Sequence, residues 1–147
     1  MIKKITFIFI LIMMWNITLL FFPIDIGFLS TLKLIISYNK YYLIFWIINT
    51  IFISYSFYKI MMEYEINNNY LFVLILNYLF TQIFGLFFFY FNSLILGIVS
   101  IVIVCTTSIF CFIETNKIDR FYSKLWIYPI IFNLFNLISI IFSYLHY

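Results

Sequence analysis

The chain has no alanine in its 147 residues, and charge is scarce: Asp, Glu, Lys and Arg make up 9% of it, against about a quarter in an ordinary soluble domain. With 67% hydrophobic residues, its folded surface needs lipid as solvent, which excludes a soluble domain. The missing alanine, beside abundant Ile, Phe, Asn and Tyr, reads as a codon bias toward A and T, so part of the aromatic richness says nothing about ligands. The single histidine, His146, gives no support to a His-assisted nucleophile or to axial haem ligation in a membrane interior. Cys105 and Cys111, six positions apart on one helical segment, are too far apart to bridge and read as small packing residues. Asp25, Glu63, Glu65, Glu114 and Asp119 all fall at span ends or in loops, where solvated charge is their ordinary role. No catalytic set, no metal spacing and no intramembrane carboxylate for ion pumping is read from the sequence.

What is present is uncharged length. Residues 66–113 carry no charged side chain, nor do 5–24, 41–58 and 125–147. About 20 apolar residues make one helical crossing, because a helix rises about 1.5 Å per residue through about 30 Å of hydrocarbon. The 66–113 run therefore holds two crossings, divided at the polar pair Asn92-Ser93. Membrane β-strands would alternate apolar and polar residues, whereas these blocks are continuously apolar. The reading is an all-α membrane protein: one domain, 1–147, formed by a bundle of five transmembrane helices over about 5–22, 41–62, 70–91, 94–113 and 124–146, with a long first loop, 23–40. The first block, behind Lys3-Lys4, is span-length and ends at Phe22-Pro23-Ile24-Asp25 without a small-residue cleavage site, so it reads as a retained helix.

Basic residues orient the bundle. Lys3, Lys4, Lys59, Lys117, Arg120 and Lys124 share the side of the N-terminus and the second and fourth loops, opposite Lys33 and Lys40. The positive-inside rule then places the N-terminus in the cytoplasm and the C-terminus outside. The net charge of +3 is a topology signal and implies no nucleic-acid partner. The 23–40 connection reads either as a lid over a binding site or as an amphipathic stretch on the headgroups. Within it Leu34, Tyr38 and Lys40 fit a loose sterol-contact pattern that arises by chance in so aliphatic a chain.

Polar residues inside the spans fall on defined faces at 100° per residue. The 94–113 segment gathers Ser93, Gly97, Ser100, Thr107, Ser108 and Cys111 into a stripe suited to close helix packing. The last helix groups Phe132, Asn133, Asn136, Ser139 and Ser143 with Pro129, the 70–91 helix groups Asn77, Thr81 and Gly85 with Gln82 at the margin, and the 41–62 helix groups Trp46, Asn49, Thr50 and Ser54. Amides in a bilayer point inward, toward one another or toward something bound. Two accounts stand side by side: interhelical hydrogen bonds, or an aromatic-walled cavity in which a few amides orient a ligand.

The order of several motifs carries a resemblance. Phe22-Pro23-Ile24-Asp25 closes the first helix before a long loop, and Phe45-Trp46 stands early in the second. Leu76-Asn77-Tyr78 and Gln82 lie in the third, Asp119-Arg120 in the fourth loop, and the fifth helix opens with aromatics and Pro129. Over roughly residues 20–145 the chain resembles the TspO/MBR (tryptophan-rich sensory, translocator) proteins, five-helix membrane proteins that bind porphyrins and other hydrophobic ligands. It departs from their pattern at Leu29, at the Tyr128-Pro129 order, at Phe132 where they have Trp, at Asn136 where they have a small residue, and at Ser139-Ile140; the first loop also lacks their proline-rich signature. The resemblance implies a multi-pass protein, expected in a bacterial cell membrane, for transport or sensing of a porphyrin or haem-like compound, lipid or sterol, without a resident cofactor. A homodimer is among the assemblies it allows. Trp46 and Phe132 would stack on a flat ring, and Asn77, Gln82 and Asn136 would hydrogen-bond its polar edge. Oxidative degradation of a bound porphyrin is the enzymatic alternative, and a ligand-free structural subunit the third.

Overall fold

The computed structural model describes residues 2–22, 26–32 and 40–146. Among them the chain is helical, with no strand: α1 (Ile2–Trp15), α2 (Ile17–Phe21), α3 (Ile26–Thr31), α4 (Lys40–Glu63), α5 (Asn68–Gly85, continued by a π-helical turn, Leu86–Tyr90), α6 (Leu94–Ile118), α7 (Arg120–Ser123, continued by the 3-10 turn Lys124–Trp126) and α8 (Ile127–His146). Among the described residues four segments are long and apolar enough to cross a membrane: Ile44–Glu63, Asn68–Tyr90, Leu94–Ile118 and Arg120–His146; a shorter apolar helix, Ile5–Trp15, accompanies them. The chain is thus an all-α, multi-pass membrane protein, as its uncharged blocks predict.

The division at Asn92-Ser93 has a clear local cause. Asn92 adopts φ 55°, the left-handed region that Asn tolerates better than most residues. Ser93 then caps α6, accepting from the Leu96 N–H. Asn67 caps α5 in the same way through the Asn69 N–H at 2.9 Å. The π-helical turn widens the end of α5, and the consecutive residues Phe88 and Phe89 are both buried there.

The first helix differs from the continuous 5–22 segment read from the sequence. It breaks at Asn16, whose Nδ2 donates back to the Ile12 carbonyl at 2.7 Å and so competes with the backbone ladder. In the 23–40 connection the structure shows the short α3. There Phe28 meets Phe88 with ring centroids 6.0 Å apart, and Leu32 is buried in the core. Pro23, Ile24, Asp25, Lys33, Leu34 and Tyr38 lie outside the described residues.

The core has two apolar halves. One gathers Leu32, Tyr42, Trp46, Phe84, Phe88, Phe89, Ile101, Cys105, Phe132 and Ile140, and the other Trp15, Ile53, Ile60, Tyr70, Leu74, Cys111 and Trp126. A polar belt falls between them on three helices. Asn49 and Thr50 separate Trp46 from Ile53, Asn77 and Thr81 separate Leu74 from Phe84, and Thr107 and Ser108 separate Cys105 from Cys111; all six polar residues are buried. At the loop end nearer Glu63, Tyr64 donates to Asp119 Oδ2 and Tyr122 to Glu63 Oε2. Those two bonds tie the α4–α5 turn to the α6–α7 turn.

Candidate functional site

The aromatic half of the core opens sideways. Tyr42 and Phe45 of α4 and Tyr128, Ile131, Phe132 and Phe135 of α8 line a cleft of about 380 Å³, within the usual size range of ligand pockets. Phe45, Ile131 and Phe135 are exposed, so the mouth of the cleft lies on the outer, lipid-facing surface of the bundle, between the two helices. Phe132 forms its inner wall. Its ring is parallel to that of Tyr128, with centroids 6.2 Å apart, lies 5.8 Å from Tyr42, and meets Trp46 edge-on at 6.0 Å. Trp46 in turn stacks on Phe84 at 6.3 Å. The Tyr128 hydroxyl donates to the Phe45 carbonyl at 3.2 Å across the mouth. This is a preformed set of flat faces with one hydroxyl at the rim, the surface an apolar ring system matches.

The amides are arranged otherwise. Asn77 Nδ2 donates to Ser108 Oγ and Thr107 Oγ1, each at 2.9 Å, and to the Val104 carbonyl at 3.2 Å. Asn133 Nδ2 donates to the same Ser108 Oγ at 3.1 Å, so one hydroxyl joins α5, α6 and α8. Gln82 grips the break in the first helix. Its Nε2 donates to the Trp15 carbonyl at 3.0 Å, and its Oε1 accepts from the Thr18 N–H at 3.0 Å and the Thr18 hydroxyl at 2.6 Å. Those backbone groups lose helical partners at the break, and Gln82 supplies replacements, as an interrupted membrane helix requires. Trp46 completes the clamp by donating from Nε1 to Asn16 Oδ1 at 2.8 Å.

The structure places Phe132 on the cleft wall and Trp46 behind it, in edge-on contact with Phe132 and off the cleft lining. Asn77 and Gln82 bond to neighbouring helices, and neither they nor Asn136 line the cleft. Asn136 is buried, and its Nδ2 has no hydrogen-bond partner among the described residues. Asn16, Thr18 and Tyr42 belong to the site's framework and were not read from the sequence, and Tyr128 was read only as part of the altered Tyr128-Pro129 order. The available signal was Asn16-Ile17-Thr18, the polar interruption of an otherwise apolar first block. Among the described residues no cluster of His, Cys, Asp or Glu is placed to hold a metal ion. Comparison with models of protein families and with curated proteins finds no match.

Proposed function

We propose that the chain is a TspO/MBR-like protein of a bacterial cell membrane that binds a porphyrin or another flat hydrophobic molecule, such as a sterol or lipid, for transport or sensing. In this reading the broken pair α1–α2 makes a fifth crossing, the N-terminus is cytoplasmic, and a second copy of the chain is the protein partner. The aromatic cleft between α4 and α8 is the single observation that carries the proposal. Phe132 supplies a face for the ring system, and Trp46 backs Phe132 from the core side. Of the three amides assigned to its polar edge, Asn136 alone keeps an unpartnered N–H donor, so it is the one we assign there. Asn77 and Gln82 frame the site by holding the helices around it.

A second reading has its own observation. The bonds of Asn77, Asn133 and Gln82 to neighbouring helices suit a structural subunit whose amides only join helices. Titration of the purified protein in detergent with protoporphyrin separates the two. Saturable quenching of tryptophan fluorescence supports the ligand-binding reading, and its absence the structural one. A product spectrum that develops after illumination would move the protein to the enzyme class.

A further inference from the structure

The outer face of the last helical segment changes character along its length. Arg120, Lys124, Ile127 and Ile131 are all exposed and follow one another at steps of four, three and four residues, so they stand in one row on the continuous segment Arg120–His146. α8 itself, Ile127–His146, has 20 residues, about 30 Å at 1.5 Å per residue, which is the depth of the hydrocarbon. Lys124 and Arg120 therefore lie about one and two turns beyond it, at the level of the polar headgroups. Neither cation is used inside the protein. Lys59 pairs with Glu63 and Lys117 with Glu114, but Arg120 and Lys124 make no ion pair among the described residues, with Glu65 or any other acid. The Asp119 carboxylate next to Arg120 accepts instead from the Tyr64 hydroxyl and from the Phe121 and Tyr122 N–H groups. The turn that carries the two cations is held from within: the Ser123 hydroxyl donates to the Arg120 carbonyl at 2.9 Å, and the Ser56 hydroxyl of α4 to the Tyr122 carbonyl at 3.4 Å.

We propose that Arg120 and Lys124 bind the phosphate of an anionic phospholipid of the bilayer, whose chain lies along Ile127 and Ile131. An amphiphile with its negative charge at one end matches a row with two unpaired cations at the headgroup level and apolar side chains below them. The Arg120 guanidinium offers a planar fork of N–H donors to phosphate oxygens, and the Lys124 ammonium adds a second charge one turn away. A zwitterionic lipid carries its own cation beside the phosphate and gains much less from the pair. Phe121, next to Arg120 and 67% exposed, adds an apolar face at the same level. Neither cation lines the aromatic cleft, so the proposal holds whatever the cleft binds.

Native mass spectrometry of the purified protein in detergent, titrated with phosphatidylglycerol or with phosphatidylcholine of the same chains, tests this. A cation near an anionic lipid contributes about fivefold in affinity, and two contribute about thirtyfold. The wild type should therefore bind its first phosphatidylglycerol about thirtyfold more tightly than phosphatidylcholine, and the double variant Arg120→Gln/Lys124→Gln should lose that preference. Lys117→Gln removes the same charge as Lys124→Gln but from a cation already paired with Glu114, so it should keep most of the preference. Equal affinity of the wild type for the two lipids, a preference that survives in the double variant, or equal losses in Lys117→Gln and Lys124→Gln would each overturn the proposal. Inorganic phosphate equimolar with the lipid should leave phosphatidylglycerol binding unchanged. Displacement by it would reveal a site for free phosphate and would overturn the lipid assignment as well.

Discussion

The indole N–H of Trp46 donates to Asn16 Oδ1 at 2.8 Å, joining the aromatic half of the core to the break in the first apolar helix. Asn16 Nδ2 also reaches the Thr50 hydroxyl, one turn along α4 from Trp46, at 3.3 Å. The same aromatic that backs the cleft therefore fixes where α1 ends. Gln82 secures the other side of the break, so α4 and α5 both set the path of the first helix.

The break should be sensitive to its clamp. Gln82→Ala leaves the Trp15 carbonyl and the Thr18 N–H without their partners, and each buried orphan costs about 1–3 kcal/mol. Gln82→Ala should therefore melt well below wild type in detergent, and Gln82→Glu, which keeps the acceptor for Thr18, should fall between them. Thermal unfolding followed by circular dichroism measures both.

The two glycines on α5 and α6 should respond differently to a methyl group. A Cβ on Gly97 would lie 2.9 Å from Phe88 Cδ2, and Phe88 is fully buried with no room to retreat. Gly97→Ala should destabilise by about 1–3 kcal/mol, the usual range for overpacking. A Cβ on Gly85 meets only Thr18, the methyl at 3.3 Å and Cβ at 3.6 Å. Gly85→Ala should stay near wild type, because the helix preference of Ala over Gly, about 1 kcal/mol, offsets that contact. Melting temperatures of the two variants give the comparison.

Much of this was legible in the sequence because lipid imposes simple rules. The uncharged runs located the four long helices, the Asn92-Ser93 pair marked the turn between α5 and α6, and the 100° periodicity predicted that Asn49, Asn77, Asn133, Asn136 and Ser143 would be buried. The break at Asn16 was not legible, because it depends on Gln82 and Trp46, which are distant in the chain. For the same reason the sequence grouped Asn77 and Gln82 with the ligand. Residue type shows that a buried amide needs a partner, but only tertiary packing shows whether Ser108 or Thr18 supplies it.

The loop junction should carry a pH signature. The Tyr64 phenol, followed by the Tyr122 backbone N–H, holds the Asp119 carboxyl below its ordinary value, and the same bond to Asp119 pushes the Tyr64 phenol up to about 12. Asp119 thus contributes stability at pH values above its ordinary pKa, and that stability is lost as pH falls through the lowered value. The Tyr64 contribution is fully present below its ordinary value of 10.0 and is lost as pH rises through about 12. In Asp119→Asn the Tyr64 phenol should titrate nearer its ordinary value. The difference between ultraviolet titrations with and without Tyr64→Phe reads that shift.

Orientation is open to a direct assay. Lys59, Lys117, Arg120 and Lys124 lie near one end of the bundle, so a reporter fused after Tyr147, beyond the opposite end of α8, should be found outside the cytoplasm. A cytoplasmic reporter would reverse the proposed orientation or change the number of crossings.

The most direct measurement is the affinity of protoporphyrin for the wild type, Trp46→Ala, Phe132→Ala and Trp15→Ala in one detergent, each with its melting temperature. Trp15 lies in the other half of the core, so its loss is the control for general damage. Saturable wild-type binding is expected, weakened several-fold by Phe132→Ala, since a stacking aromatic contributes about 1 kcal/mol or more, and by Trp46→Ala, which removes the ring that backs Phe132. Trp15→Ala should weaken it much less. No saturable binding by the wild type, or equal losses in all three variants, would contradict a ligand site in the aromatic cleft.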